Sequence, residues 1–340
     1  MICKKIKNPF IVLCILFFLN FLSCPRTEAS RAEFALGTVC SITLFEQGQS
    51  DIYREIFNRL REIENRMSVN IPSSDISRVN AAAGIEPVKV HEDVFRVLER
   101  SVHFARLSDG AFDPSVGPVV SLWGIGKDNQ RVPAQPEIDE VLPLVNWRDI
   151  ELDARSGSVF LGKVGMALDL GSIAKGYAAD EAAAIIKRAG IKRAIVDLGG
   201  NIVVCGEKKD KSPWKVGLQN PGGKRGEYAG IIMANEKTVV TSGVYERYFE
   251  QDGFRYHHIF SPSRGYPADT GILSATIITA NSMDADALST AVFVLGCEKG
   301  LSLIKSIPET EAVLIMEDKS IIATSAADFI LTDKTFYYKK

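Results

Sequence analysis

The residue types best suited to chemistry lie in the second half of the chain. Asp286 and Thr290 stand one helical turn apart in Asp284–Leu295, where Ala287, Leu288, Ala291, Val292 and Leu295 make an apolar stripe. A carboxylate and a hydroxyl on one helix face are hard oxygens, suited to Mg²⁺ that keeps some waters and takes phosphate oxygens. Asp284 is a further candidate ligand, or an acidic first-turn residue that complements the helix dipole. Upstream, Gly171 precedes a helix whose first amides have no partners within it, a ready anion site. Lys175 adds a cation one turn in, and Asp169 a carboxylate at the mouth of the preceding strand. Together they suit a metal-assisted phosphate or pyrophosphate ligand. The alternative is a strand–helix–strand unit with a solvated Lys175, for the segment is neither a P-loop nor a GxGxxG fingerprint. His257 and His258 end a strand, so at most one of them faces a site, as a general base or a structural hydrogen-bonding group. Phe112, between Gly110 and Pro114, offers a ring to a planar ligand or to the core.

These residues need a scaffold, and the sequence outlines one. Met166–Leu170 alternates like a half-buried strand ending at Gly171, Ser172 is placed to cap a helix over Ile173–Ala189, and Gly190 suits its C′ position. Arg193–Leu198 and Ile202–Cys205 read as strands joined at Gly199-Gly200-Asn201. Glu33–Phe45 reads as a strand broken at Gly37-Thr38, and Asp51–Met67 and His91–Leu107 as amphipathic helices. Pro136–Leu144 is a short helix, and Ile150–Phe160 holds strands around Ser156-Gly157. Short strands at Trp214–Gln219, Tyr228–Met233 and Thr238–Ser242 precede a hairpin turning at Gln251-Asp252-Gly253. Leu273–Ala280 is β-branched, and Ser282 is placed to cap the helix bearing Asp286. Meanders with separated helices imply an α+β fold rather than a doubly wound parallel sheet.

The chain has 340 residues and a formal net charge of −2, which gives no footing for nucleic-acid binding. Lys4, Lys5 and Lys7, the apolar run Phe10–Leu22 and then Ser23-Cys24 have the layout of a secretory signal. That run is shorter than the roughly 20 residues a spanning helix requires. Cys24 directly after the boundary implies lipoprotein processing of residues 1–23, although Phe21 stands where such boundaries usually carry Leu. Simple secretion or an uncleaved anchor are the alternatives. A tether over residues 24–32 then leads to one domain of two interleaved lobes over residues 33–335. Cys40, Cys205 and Cys297 show neither metal-knuckle nor disulfide spacing and are expected as buried thiols.

Nearly the whole chain after the signal resembles the FAD:protein FMN transferase, or ApbE, family. The resemblance rests on Leu36-Gly37-Thr38, Met67-Ser68, Gly110-Ala111-Phe112-Asp113-Pro114, and Asp169-Leu170-Gly171-Ser172-Ile173-Ala174-Lys175-Gly176-Tyr177. It extends through Leu198-Gly199-Gly200-Asn201, Thr241-Ser242-Gly243, His258-Ile259, Gly265-Tyr266-Pro267 and Ala285-Asp286-Ala287-Leu288-Ser289-Thr290-Ala291. It implies an α+β fold related to the T-fold, with mixed and antiparallel sheets. It also implies FAD bound with Mg²⁺ on its pyrophosphate, and FMN transfer to a Thr or Ser of an acceptor flavoprotein with AMP leaving. The acceptors it implies belong to membrane redox complexes, and the lipid anchor would hold the enzyme on the periplasmic side of a bacterial inner membrane.

By the same resemblance Leu36, Ala111, Phe112, Asp113, Asp169 and Lys175 contact FAD. Ser172, Asp286 and Thr290 supply metal oxygens, and His258 is the base. Two positions depart from the family pattern. Asn70 stands where an aromatic covers the cofactor, and Ser261 where an Asp is usual. An open lid at Asn70 would admit water to the phosphorus and add hydrolysis of FAD to FMN and AMP. A non-catalytic FAD-storage lipoprotein is the competing reading.

Overall fold

The computed structural model describes residues 29–46 and 49–339. Strands β1 (Ala29–Ala35) and β2 (Thr38–Leu44) lead into helices α1 (Ser50–Met67) and α2 (Asp75–Ala81). Then come β3 (Val88–Lys89), α3 (Glu92–Leu107), α4 (Gly117–Trp123), α5 (Gln135–Val141), β4 (Ile150–Asp153) and β5 (Ser158–Leu161). Helix α6 (Ala174–Arg188) precedes β6 (Ala194–Leu198), β7 (Asn201–Cys205), β8 (Trp214–Gln219), β9 (Tyr228–Ala234) and β10 (Thr238–Gly243). The hairpin β11 (Tyr248–Gln251) and β12 (Phe254–His257) is followed by β13 (Ile272–Thr279), α7 (Ser282–Leu295) and α8 (Cys297–Lys305). Strands β14 (Glu311–Met316), β15 (Ser320–Ala323), β16 (Phe329–Leu331) and β17 (Tyr337–Tyr338) close the chain.

Nine strands form one sheet in the order β1-β2-β6-β7-β10-β13-β14-β15-β17, antiparallel except for the last pair. Its central strands are apolar at successive positions because both faces are covered. Val203, Val240, Ile277 and Leu314 face a core shared with α1, α3, α6 and α7, whereas Val204, Val239, Ile278 and Val313 face the opposite way. On that second face Trp214, Ile232 and Phe329 arrive from the small sheet β16-β9-β8. A third cluster, around Val119, Trp123, Ile138, Phe249 and Phe260, joins α4 and α5 to the β11–β12 hairpin as a smaller lobe. This is the α+β architecture that the sequence implies.

The differences are local and have identifiable causes. Residues 166–170 make no ladder strand, only an isolated bridge between Ala167 and Val116. Their backbone is held instead by Asn80, whose side chain accepts from Leu168 N at 2.7 Å and donates to Leu168 O at 3.0 Å. Ser172 does not cap α6, which begins two residues later with Ile173 at the cap and no side-chain cap bond. Asn281, not Ser282, caps α7, accepting from Asp284 N at 2.9 Å. Ala29–Ala32, expected in a tether, already pair with β2. Residues 1–23 and Cys24 lie outside the described residues. Among those described, no helix is long and apolar enough to cross a membrane.

Candidate active site

Helices α6 and α7 cross where the helix face bearing Asp286 meets the start of α6. Gly176 allows the crossing, since a Cβ there would lie 2.2 Å from Ser282 O. Asp286, 3% exposed, accepts from Gly176 N through Oδ2 at 2.9 Å and meets Lys175 Nζ through Oδ1 at 3.3 Å. Lys175 Nζ also donates to Gly171 O at 3.2 Å. An ammonium lodged between a carboxylate oxygen and a main-chain carbonyl is a stand-in for a cation, and marks where negative potential gathers. Beside Asp286 lies a hydroxyl cluster. Ser289 Oγ donates to Asp286 O at 2.8 Å, Ser242 Oγ of β10 lies 2.7 Å from Ser289 Oγ, and Thr290 Oγ1 lies 3.4 Å from Ser242 Oγ. Among the described residues no three His, Cys, Asp or Glu side chains converge to hold a metal. A cation here would rely on one carboxylate, hydroxyls, carbonyls and its own waters, which is the manner of Mg²⁺.

The two histidines part as strand alternation requires. His257 is consumed structurally: Nε2 lies 3.1 Å from Ala268 O, Nδ1 accepts from Ile259 N at 3.3 Å, and the ring sits edge-on to Phe293. Half-buried His258 places Nδ1 3.1 Å from Arg247 O. A carbonyl only accepts, so Nδ1 carries the proton and Nε2 keeps a lone pair. Burial first, then the Arg247 charge, pushes the His258 pKa down to about 3, so the ring is neutral and its Nε2 lone pair is unprotonated. Lys175 is among the charges acting on it. Arg247 also donates to Gly37 O at 3.2 Å, which ties in the β1–β2 turn. There Leu36 (φ +54°) and Gly37 (φ +69°) both adopt the left-handed conformation of a two-residue hairpin turn.

Of the other expected site residues, Asp284, Phe112 and Asp113 are engaged elsewhere in this structure. Asp284 is not free to ligate a metal, because Arg100 Nε and Nη2 hold its two oxygens at 2.7 and 2.6 Å. Phe112 is 1% exposed and belongs to the core, so its ring is not open to a ligand. Asp113 is a buried organiser of its loop. Oδ1 accepts from Ser115 N at 2.8 Å and Ser115 Oγ at 2.6 Å, while Oδ2 accepts from Trp147 N at 3.1 Å. Burial raises its pKa. Half-buried Ala111 leaves that loop open to contact through its backbone. Half-buried Asp169 links the loop to the start of α6, donating from its amide to Pro114 O and accepting from Gly171 N, both at 2.8 Å. Ser172 is half-buried in the turn before α6, and Asn70 is exposed in the turn after α1, its amide donating to Ser68 Oγ at 3.2 Å. The Gly176 amide, Ser242, Ser289 and Arg247 were not foreseen. Gly176, Ser242 and Ser289 each lay in a family block without an assigned role, and Arg247 lay in none.

Comparison with known proteins accords with this arrangement. The ApbE family model matches residues 36–314. An FAD:protein FMN transferase of Treponema pallidum (strain Nichols) is 38% identical over 315 residues, covering 88% of this chain and 87% of its own. One from Klebsiella pneumoniae (strain 342) is 36% identical over 290 residues, covering 85% and 90%. The crystal structure of the ApbE protein of Thermotoga maritima superposes with a TM-score of 0.79 at 33% identity, covering 91% of this chain and 98% of that one. A match spanning β2 to β14, in which α6, α7 and the strand before His258 all take part, leaves one assignment: the chain belongs to the ApbE family.

Proposed function

We propose that the protein is an FAD:protein FMN transferase whose chemistry takes place over the Lys175–Asp286 junction. The observation that carries this reading is the meeting of a buried carboxylate, an ammonium and a helix N-terminus beside a hydroxyl cluster. The FAD pyrophosphate would lie against the start of α6, where the helix dipole and Lys175 favour its charge. Asp286 and Thr290, with an oxygen at Ser172, are the groups that would hold Mg²⁺. When bound, the ion would neutralise pyrophosphate charge as it develops at the leaving oxygen. His258 Nε2 would take the proton from an acceptor threonine or serine hydroxyl. The hydroxyl oxygen then bonds to the FMN phosphorus, the bond from that phosphorus to the bridging oxygen breaks, and AMP departs with that oxygen. The loop at Ala111 and the turn at Leu36 would flank the flavin or adenine.

Exposed Asn70 would leave the cofactor less covered, so water would compete with the acceptor and release FMN and AMP. Lipidation at Cys24 would hold the domain on the periplasmic side of the inner membrane, within reach of acceptors in membrane redox complexes. The test is to incubate the purified protein with FAD and Mg²⁺, with and without a threonine-bearing acceptor, and to resolve FAD, FMN, AMP and flavinylated acceptor. AMP should form in both arms, and Asn70→Tyr should suppress it only where acceptor is absent. Tight binding of unchanged FAD would instead establish storage, and an unchanged product ratio in Asn70→Tyr would reject the role of Asn70.

A further inference from the structure

The two helices that carry the candidate site cap each other. Helix α6 has no side-chain cap of its own, and its third amide, Gly176 N, is taken by Asp286 of α7 at 2.9 Å. One turn further along α6, Asp180 returns the exchange. Its Oδ1 accepts from Ser282 N at 2.8 Å and its Oδ2 from Met283 N at 2.9 Å, the first two amides of α7. Asn281 covers the third, Asp284 N, at 2.9 Å. Between the two exchanges the backbones touch, because Gly176 leaves no room for a Cβ against Ser282 O.

From this reciprocity we infer that Asp180 is a positioning residue, which locks the rotation and height of α7 on α6 so that Asp286 meets Lys175 and Thr290 is presented beside it. A carboxylate taking two adjacent amides in a bidentate manner fixes a helix end against both sliding and turning, which a single bond does not. Asp286 lies one turn beyond the amides that Asp180 holds, so a shift of that first turn carries Asp286 with it. Helix α7 lies in the core with Ala285, Ala287, Leu288 and Ala291 buried, and close packing there opposes bending within the helix. Asp180 holds its place at a cost. Burial, with Asp284 and Glu181 nearby, raises its pKa to about 6 despite the two amides. Those two neighbours are satisfied elsewhere, Asp284 by Arg100 and Glu181 by Arg59. Helix geometry, rather than charge balance, is what this buried carboxylate serves.

The proposal rests on Asp286 being the site's carboxylate, and its test separates the two. Backbone hydrogen exchange is measured on the ligand-free full chain, as wild type, Asp180→Ala, Asp180→Asn and Asp286→Ala. In Asp180→Ala the Gly176 amide should exchange at least about tenfold faster, although Asp180 does not touch it. Asp180→Asn keeps one acceptor and should give an intermediate value. Coupling between two sites is reciprocal, so Asp286→Ala should in turn speed exchange at Ser282 and Met283. Far below the melting temperature, kcat for FMN transfer should fall about tenfold or more in Asp180→Ala and partly recover in Asp180→Asn. Faster exchange at Ser282 and Met283 with Gly176 unchanged would overturn the proposal and leave Asp180 a local cap. If Asp180→Ala does not fold, Asp180→Asn and the reverse measurement in Asp286→Ala decide. A protein with this coupling but no transfer would refute the functional reading alone.

Discussion

Replacing Asp286 separates its two tasks, because the structure gives each carboxylate oxygen a different partner. Oδ2 holds the Gly176 amide and Oδ1 the Lys175 ammonium, in a side chain only 4% exposed. A hydrogen bond to a charged acceptor contributes about 1.5–3 kcal/mol. The Lys175 side chain is 23% exposed, so solvent screening holds the ion pair to about 1 kcal/mol. Asp286→Ala should therefore cost about 3 kcal/mol and lower Tm by about 5–10 °C. Asp286→Asn keeps an acceptor for Gly176 N, loses the charge, and should cost about half as much. The two variants should converge in catalysis, where a missing charged group beside a pyrophosphate removes about 10²-fold or more in rate. Flavin fluorescence of the acceptor, read well below both melting temperatures, measures transfer in fully folded protein. Asp286→Asn that folds and transfers FMN within threefold of wild type would refute the assignment.

Three further expectations follow from other residues. Gly176→Ala drives a Cβ into the Ser282 carbonyl, 2.2 Å away, and should cost about 1–3 kcal/mol in thermal or denaturant unfolding while suppressing transfer as the helices part. Neutral, buried His257 has its pKa lowered from 6.5 to about 4, chiefly by burial. A depressed native pKa gives stability that is complete above pH 6.5 and lost as pH falls through 4, about 3 kcal/mol at that lower pH. Urea unfolding at both pH values should show this loss, and a His257→Leu variant should reduce it by the His257 share, leaving that of His258, whose pKa is also lowered. Cys24→Ser should abolish acyl labelling and release the protein from membranes; unchanged detergent partitioning would make the apolar run Phe10–Leu22 the anchor.

Legibility in the sequence followed the range of the interactions involved. Helix α1 could be read from Ile56, Leu60, Ile63 and Met67 because one buried face imposes a 3.6-residue period. Strands β6 and β7 could be read because they form a local hairpin between glycines. Residues 166–170 misled because alternating burial needs only two environments, and here Asn80 supplies the hydrogen bonds that a strand would have supplied. The cap of α6 misled in the same way. Ser172 is a good local cap, but the helix takes its cap from Asp286, 110 residues away. Asp284 shows the converse: a first-turn acid two residues from Asp286 points to another side of the helix, where Arg100 waits.

What the sequence could not disclose is that the site's charges belong to the fold as much as to the ligand. Spacing suggested that Asp286 and Thr290 share a helix face, and glycine before a helix suggested an anion site. Neither pattern states that the carboxylate of one helix would satisfy the other helix's amide. That arrangement makes the free protein self-neutralised, with Lys175 held by Asp286 and Gly171 O until a substrate arrives. Under the proposed function, an anion entering at α6 would compete with Asp286 for the same ammonium, and a cation on the carboxylate would ease that competition. The same pairing fixes the orientation of the buried carboxylate, one oxygen on the Gly176 amide and the other on Lys175. Fold and function thus constrain one residue jointly, and this is why a substitution at Asp286 must be judged by two measurements rather than one.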